Sequence, residues 1–443
     1  MLHSTPLTPL DELMTRWPFS PGAAGLAITC QGPAPTPARI TALVRERWGA
    51  IPRLSRALTP RGRPGPARRH AWVHHRDFDA AQQIVHEPGT ETFEQLVSRL
   101  MTEPFDQDLP PWRLHTLPEP DGSEFTLLLR THHSLLDGRS LVTLLRTLLD
   151  PTAQLPAPRT APARATPAEQ RALQRFASVV RALRASAVPG TAVPMPDQGV
   201  TAPAYACRPV PTEVFGRART ALPGQATTVT EVFLAATAGT LRAGLSPWPS
   251  TSTSTSSSSS SSSGGGERPV FVTVPMDTRP AGHGHRLGNE FGAIRVAVPA
   301  GTDDPLARLA ACRGLIKPTE HQATLRFADA LLHALTAVGP RLVSAVLAPS
   351  YAPAYSAACC SSLPLPGEGL AFDGRPLRRF RGFPMVPPHG TATFVLLGCA
   401  AGYTLNVATN SSSGDARLLA DTLLRELHLL AAPALAPAAH GAP

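Results

Sequence analysis

Lysine is almost missing from this chain: Lys317 is the only one among 41 basic residues, and the rest are arginines. With 49 prolines, 34 glycines and abundant alanine, that skew reads as coding bias, so the net charge of +9 says little about partners. The arginines are scattered and aromatics make up only 5% of the chain, so the sequence shows neither a basic stripe nor a base-stacking platform. Nucleic acid is not an expected partner. The six cysteines form no C-x-x-C pair and no metal-ligand spacing, and Cys359 and Cys360 are adjacent, a poor geometry for a bridge. Reduced thiols and no metal site are expected. The first residues, MLHSTPLTPLDELMTRWPF, carry acids early and no apolar signal core. No run reaches the ~18–20 apolar residues that span a bilayer. The nearest approach, residues 328–352, is broken by His333, Gly339, Pro340 and Arg341. It reads as two apolar-faced helices, for which core packing is preferred over contact with a membrane surface. A cytoplasmic protein is expected. A G-x-S-x-G elbow and a phosphate-cradling glycine loop are also lacking, which sets aside serine-hydrolase and P-loop chemistry.

What the chain does have is 42% hydrophobic residues over 443 positions, enough for two or three cores. Strands are expected at 24–29, 71–75 and 125–129, and helices at 36–48 and 91–100, so residues 1–150 read as an α/β unit. Residues 151–211 are rich in Pro and Ala and read as a crossover linker with one helix at 167–183. The second unit, 212–443, has helices at 230–241 and 415–430. Its strands are expected at 270–274, 293–298, 393–397 and 404–408. The Ser/Thr/Gly run at 250–266 can bury no apolar surface and reads as a disordered insertion.

The stretch that organises this pattern is residues 124–149, EFTLLLRTHHSLLDGRSLVTLLRTLL. An apolar strand runs into a turn carrying His132, His133, Asp137 and Gly138, and Leu141, Leu144, Leu145 and Leu148 then mark one helix face. A neutral histidine held rigidly at a strand end can take a proton from a hydroxyl or amine. Asp137 could orient the turn, and Gly138 permits close approach of backbone or substrate. The plainer reading, Asp137 as a helix N-cap beside two packed histidines, stands beside it. A near copy at His74-His75 reaches Asp79 but has Ala80 where the glycine belongs. Spacing alone therefore decides little. Context favours the second copy, which sits between a strong strand and a strong helix. A nucleophilic Cys359 or Cys360 is disfavoured, because nothing nearby in the sequence lowers a thiol pKa.

Pro9-Leu10-Asp11, Ile51-Pro52-Arg53-Leu54, Asp77-Phe78-Asp79, Pro110-Pro111-Trp112, His132 to Gly138, Val274-Pro275 to Arg279, and Gly288-Asn289-Glu290-Phe291-Gly292 occur in an informative order. Together they resemble the bacterial wax ester synthase/diacylglycerol acyltransferase family, within the superfamily of condensation domains and chloramphenicol acetyltransferase. The resemblance implies two chloramphenicol acetyltransferase-like α/β sandwich subdomains with the active site at their interface. It implies acyl transfer from acyl-CoA, as substrate, to diacylglycerol or a long-chain alcohol, with no cofactor and with a peripheral membrane or lipid-droplet surface as partner. His133 would be the general base, supported by His132. Asp137 would orient the site through Arg279, and Gly138 would lie against substrate. Departures at Thr230-Glu231, Ser362 and Pro111 bear on substrate choice. They keep open a specialised enzyme that uses a carrier-protein thioester. A non-catalytic member that binds lipid or a partner is the alternative of another class.

Overall fold

The computed structural model of the chain describes residues 4–61, 69–75, 78–88, 91–119, 121–153, 188–195, 203–224, 226–245, 268–280, 282–410 and 413–432. The expected helix at 167–183 and the insertion at 250–266 lie outside these residues. The strands are β1 (Ser4–Pro6), β2 (Ala23–Gln31), β3 (Arg56–Arg61), β4 (Arg69–His74), β5 (Ile84–His86), β6 (Trp112–Pro118), β7 (Glu124–His132), β8 (Pro203–Val210), β9 (Val270–Asp277), β10 (Phe291–Val298), β11 (Ala358–Pro364), β12 (Ala371–Phe372), β13 (Arg375–Phe383), β14 (Ala392–Cys399) and β15 (Gly402–Asn410). The helices are α1 (Pro9–Met14), α2 (Pro37–Trp48), α3 (Phe93–Leu100), α4 (Gly138–Leu149), α5 (Thr212–Arg219), α6 (Val229–Leu245), α7 (Pro305–Cys312), α8 (Pro318–Val338), α9 (Pro340–Leu347) and α10 (Ser413–Ala431).

These elements build two mixed α/β halves, each on a six-stranded sheet. The first sheet runs β12-β13-β2-β7-β6-β5 and the second β10-β9-β11-β14-β15-β8. At the centre of the first, β2 and β7 pair antiparallel with Ala23 opposite His132. Alternation along β7 sends Phe125, Leu127 and Leu129 into one core with Ile40 and Leu43 of α2 and Leu141 and Leu144 of α4. Each such fully buried side chain contributes about 1.5–3 kcal/mol. Leu128, on the opposite face, joins Leu96 and Val97 of α3 to Tyr205 of β8 and Ala408 of β15. That third cluster fastens the two halves together.

Three expectations are corrected here. The linker ends early, because 203–210 is β8, paired antiparallel along β15. Its prolines, Pro203 and Pro209, suit an edge strand that donates few ladder hydrogen bonds. The units do not divide by chain order either. β13 comes from the second half yet pairs with β2 of the first, Phe380 opposite Ile28. Its arginines hide the strand pattern, and they are held by Glu124 and by the hydroxyls of Thr29 and Thr126. Finally, α8 and α9 are mostly uncovered rather than core. Leu325 and Val343 are buried, but Val338, Leu342 and Val346 are 76%, 39% and 45% exposed.

Candidate active site

β7 ends in two histidines with opposite fates. His132 is buried, and its Nδ1 accepts from the backbone N–H of Ser134 at 3.1 Å, with the Ser134 hydroxyl at 2.7 Å. An Nδ1 that accepts from a backbone N–H carries no proton, so this ring is neutral with its hydrogen on Nε2. Burial, with His133 alongside, pushes its pKa down to about 3. His132 is thus fixed and committed to the turn. Its ring also meets the edge of Phe105, at 5.9 Å between centroids.

His133 remains partly accessible, and its ring leans on Phe291 at 5.6 Å. Its Nδ1 is buried without a hydrogen-bond partner. Burial drives its pKa below the ordinary histidine value, against an opposing pull from the Asp137 carboxylate, its own carbonyl, Asn289 and Asp11. A neutral imidazole near neutral pH keeps a lone pair for accepting a proton. Of the two histidines, only His133 meets that requirement without breaking a hydrogen bond.

The turn that carries His133 is held by side chains from distant segments. Gly22 accepts the His133 N–H through its carbonyl at 2.7 Å. Asn289 Nδ2 donates to Asp11 Oδ1 at 2.8 Å, to the His133 carbonyl at 2.7 Å and to the Ser134 carbonyl at 3.0 Å. Arg53 Nε donates to the Leu135 carbonyl at 2.6 Å, and its Nη2 lies 3.4 Å from Asp11. Carbonyls at a strand end have lost their ladder partners and need such donors when buried.

Asp137 fulfils both sequence readings at once. It is the N-cap of α4, its Oδ1 accepting from Ser140 N at 2.8 Å. Its Oδ2 also sits 2.9 Å from Arg279 Nη2 and accepts from Glu290 N at 3.0 Å. Arg279 donates in turn to the Gly288 carbonyl at 3.0 Å and pairs with Asp277. The ion pair therefore pins the 288–290 segment, which delivers Asn289 to the histidine turn. Gly138 is approached by a side chain. The space a Cβ would need is taken by Leu363 of β11, 2.8 Å away, so the close approach is side-chain packing between the halves.

Gly22, Asp11, Arg53, Asn289 and Ser134 were not singled out by sequence as site residues. Asp11, Arg53 and Asn289 lay within family-like segments, but nothing local in the sequence told their roles apart. Gly22 has a usable signature only in three dimensions: φ is +70°, and a Cβ would stand 2.9 Å from His132 Nε2. Gly22→Ala is expected to lose about 1–2 kcal/mol from the left-handed backbone alone. It should also lower turnover by displacing His132. Urea denaturation and steady-state kinetics on the one variant read both effects.

Two mixed α/β halves, one of them completed by a strand from the other end of the chain, meet at a histidine turn in a fold similar to that of condensation domains. The model of the wax ester synthase/diacylglycerol acyltransferase catalytic domain matches residues 17–247, and the WS/DGAT C-terminal domain matches 287–431. The chain belongs to the wax ester synthase/diacylglycerol acyltransferase family, and its activity is acyl-CoA-dependent O-acyl transfer. Its fold is similar to that of the wax ester synthase/diacylglycerol acyltransferase from Marinobacter aquaeolei VT8, at 19% identity and TM-score 0.60, covering 96% of this chain and 98% of that one. The first condensation domain of the calcium-dependent antibiotic synthetase matches at 17% identity and TM-score 0.60, over 98% and 97% of the two chains. The trichothecene 15-O-acetyltransferase from Fusarium sporotrichioides matches at 12% identity and TM-score 0.66, over 96% and 94%.

Proposed function

We propose that the enzyme makes triacylglycerol or wax ester by direct transfer, with His133 as general base toward a diacylglycerol or long-chain alcohol. His133 Nε2 takes the acceptor hydroxyl proton as its oxygen attacks the thioester carbonyl. The new C–O bond gives a tetrahedral oxyanion. Collapse breaks the C–S bond, and the CoA thiolate leaves with the proton returned from Nε2–H. The carrying observation is the contrast between the two rings: His132 Nδ1 is occupied by Ser134, whereas His133 has no hydrogen-bond partner on Nδ1 and is partly open. A covalent acyl-cysteine route is disfavoured, since burial pushes the Cys359 thiol up to about 12 and the adjacent Cys360 higher still. No cofactor or metal enters this scheme. Purified enzyme with palmitoyl-CoA and a panel of hexadecanol, diacylglycerol and an amine tests the reading. Ester should form with the hydroxyl acceptors, and amide formation alone would reassign the acceptor.

The acceptor's home supplies the rest of this reading: the enzyme works at an anionic lipid surface. No helix among the described residues is long and apolar enough to cross a membrane. The α8–α9 pair instead presents Val338, Leu342 and Val346 with exposed Arg341 next to Leu342 in the chain, a pattern suited to shallow insertion among anionic headgroups. Its base packs near the site, with Leu325 of α8 against Gly292 just after Phe291. Leu342→Glu with Val346→Glu should reduce co-sedimentation with anionic vesicles at least tenfold. Turnover of a short, soluble alcohol should stay unchanged. Equal vesicle binding by variant and parent would remove the surface from this account.

A further inference from the structure

Asn289 closes two open ends at once. Its Nδ2 faces three acceptors, the Asp11 carboxylate and the carbonyls of His133 and Ser134, which fixes which end of the amide is nitrogen. Its Oδ1 is consequently the other end, and that oxygen is buried without a donor. His133 Nδ1 is also buried without a partner. Two orphaned buried atoms, an acceptor and a potential donor, belong to side chains already joined through the His133 carbonyl. Buried polar groups are seldom left unpaired, and each of these two atoms is the chemical complement of the other. Asn289 is also among the groups, after Asp137 and the ring's own carbonyl, that oppose the lowering of the His133 pKa by burial.

We infer that Asn289 is the positioning residue that selects the tautomer of His133: Nδ1–H donates to Asn289 Oδ1, leaving the Nε2 lone pair for the acceptor hydroxyl. The inference rests on the general-base reading of His133 and deepens it. It also gives Asp137 and Arg279 a purpose in catalysis. They hold Gly288 and Glu290, the residues flanking Asn289, so the ion pair acts on the base at one remove. The second half of the chain thereby sets the protonation geometry of a base carried by the first.

Histidine-selective ¹⁵N NMR of the intact protein, with His133 assigned by difference against His133→Ala, reads the tautomer without depending on how any Asn289 variant folds. The expected result is a neutral ring with hydrogen on Nδ1. In Asn289→Ala, kcat should fall about 10–10²-fold, less than the ~10²–10⁴-fold that loss of the base itself costs, with KM little changed and a mixture of tautomers. Asn289→Asp, of the same shape, should move the acid limb of kcat/KM to higher pH, because a carboxylate there favours the imidazolium. A purely structural Asn289 would change melting temperature without moving either the tautomer or the acid limb. An unchanged Nδ1–H ring and kcat in Asn289→Ala overturns the inference while leaving the base reading intact, whereas hydrogen on Nε2 in the parent enzyme overturns the inference together with Nε2 as the base. Full turnover in His133→Ala fails the base reading itself.

Discussion

His133→Ala is expected to lower kcat by about 10²–10⁴-fold with a small change in KM, the span that general acid–base catalysis supplies. The acceptor would then have to attack as a neutral alcohol, with only solvent to take its proton. The pH dependence follows from the same ring. Its pKa is lowered, chiefly by burial, so the basic form is populated throughout the neutral range. The kcat/KM of the parent enzyme should stay level there, and its acid limb should lie below the ordinary histidine value of about 6.5. A limb at or above that value would mean that another group limits the rate. His132→Ala should act differently. That ring is already neutral and engaged by Ser134, so the variant should lose stability and some turnover while keeping the acid limb where it was.

The second large effect belongs to Arg279. Its side chain is 1% exposed, and it faces Asp137 and Asp277 at 2.9 and 3.0 Å. Breaking such a pair from one side leaves a buried carboxylate without its cation, which costs about 3–5 kcal/mol. Arg279→Met should therefore destabilise strongly in urea titration and abolish most activity, because segment 288–290 loses its anchor. Asp137→Asn should be milder. An asparagine caps α4 about as well as an aspartate, and Arg279 still has Asp277. The double variant should be less damaged than the sum of the two singles, since the second change removes the charge stranded by the first. Strict additivity would mean that the pair is not coupled.

The parts of the fold legible in sequence were those where one pattern dominated. Residues 125–129 and the leucines of α4 announced strand and helix because their apolar periodicity met no competing signal, and Thr36-Pro37 marked the start of α2, with Thr36 capping Arg39 N. The near copy at His74-His75 ends β4, and its Asp79 caps a single 3-10 turn at Ala80–Gln83 rather than a long helix. Of the two copies, the second leads into the helix α4, as its context suggested. β13 was hidden because four arginines in nine residues mask the alternation of a strand whose charges are met by neighbours across the sheet. β8 was hidden by its prolines. The site divides the same way. His132, His133 and Asp137 are contiguous and could be weighed together. Asp11, Arg53 and Asn289 meet only after the chain has folded, 278 residues separating Asp11 from Asn289. At Gly138 the sequence signalled close approach, and Leu363 fills the space a Cβ would need.

The central claim is direct transfer with His133 as base, and CoA thiol release monitored alongside the intact protein mass tests it most directly. With palmitoyl-CoA alone the enzyme should release almost no thiol and gain no mass. Adding hexadecanol should start stoichiometric release of CoA and formation of ester, and His133→Ala should slow both by about 10²–10⁴-fold. A burst of thiol without acceptor accompanied by an acylated protein, or ester formation at the parental rate in His133→Ala, would contradict the account.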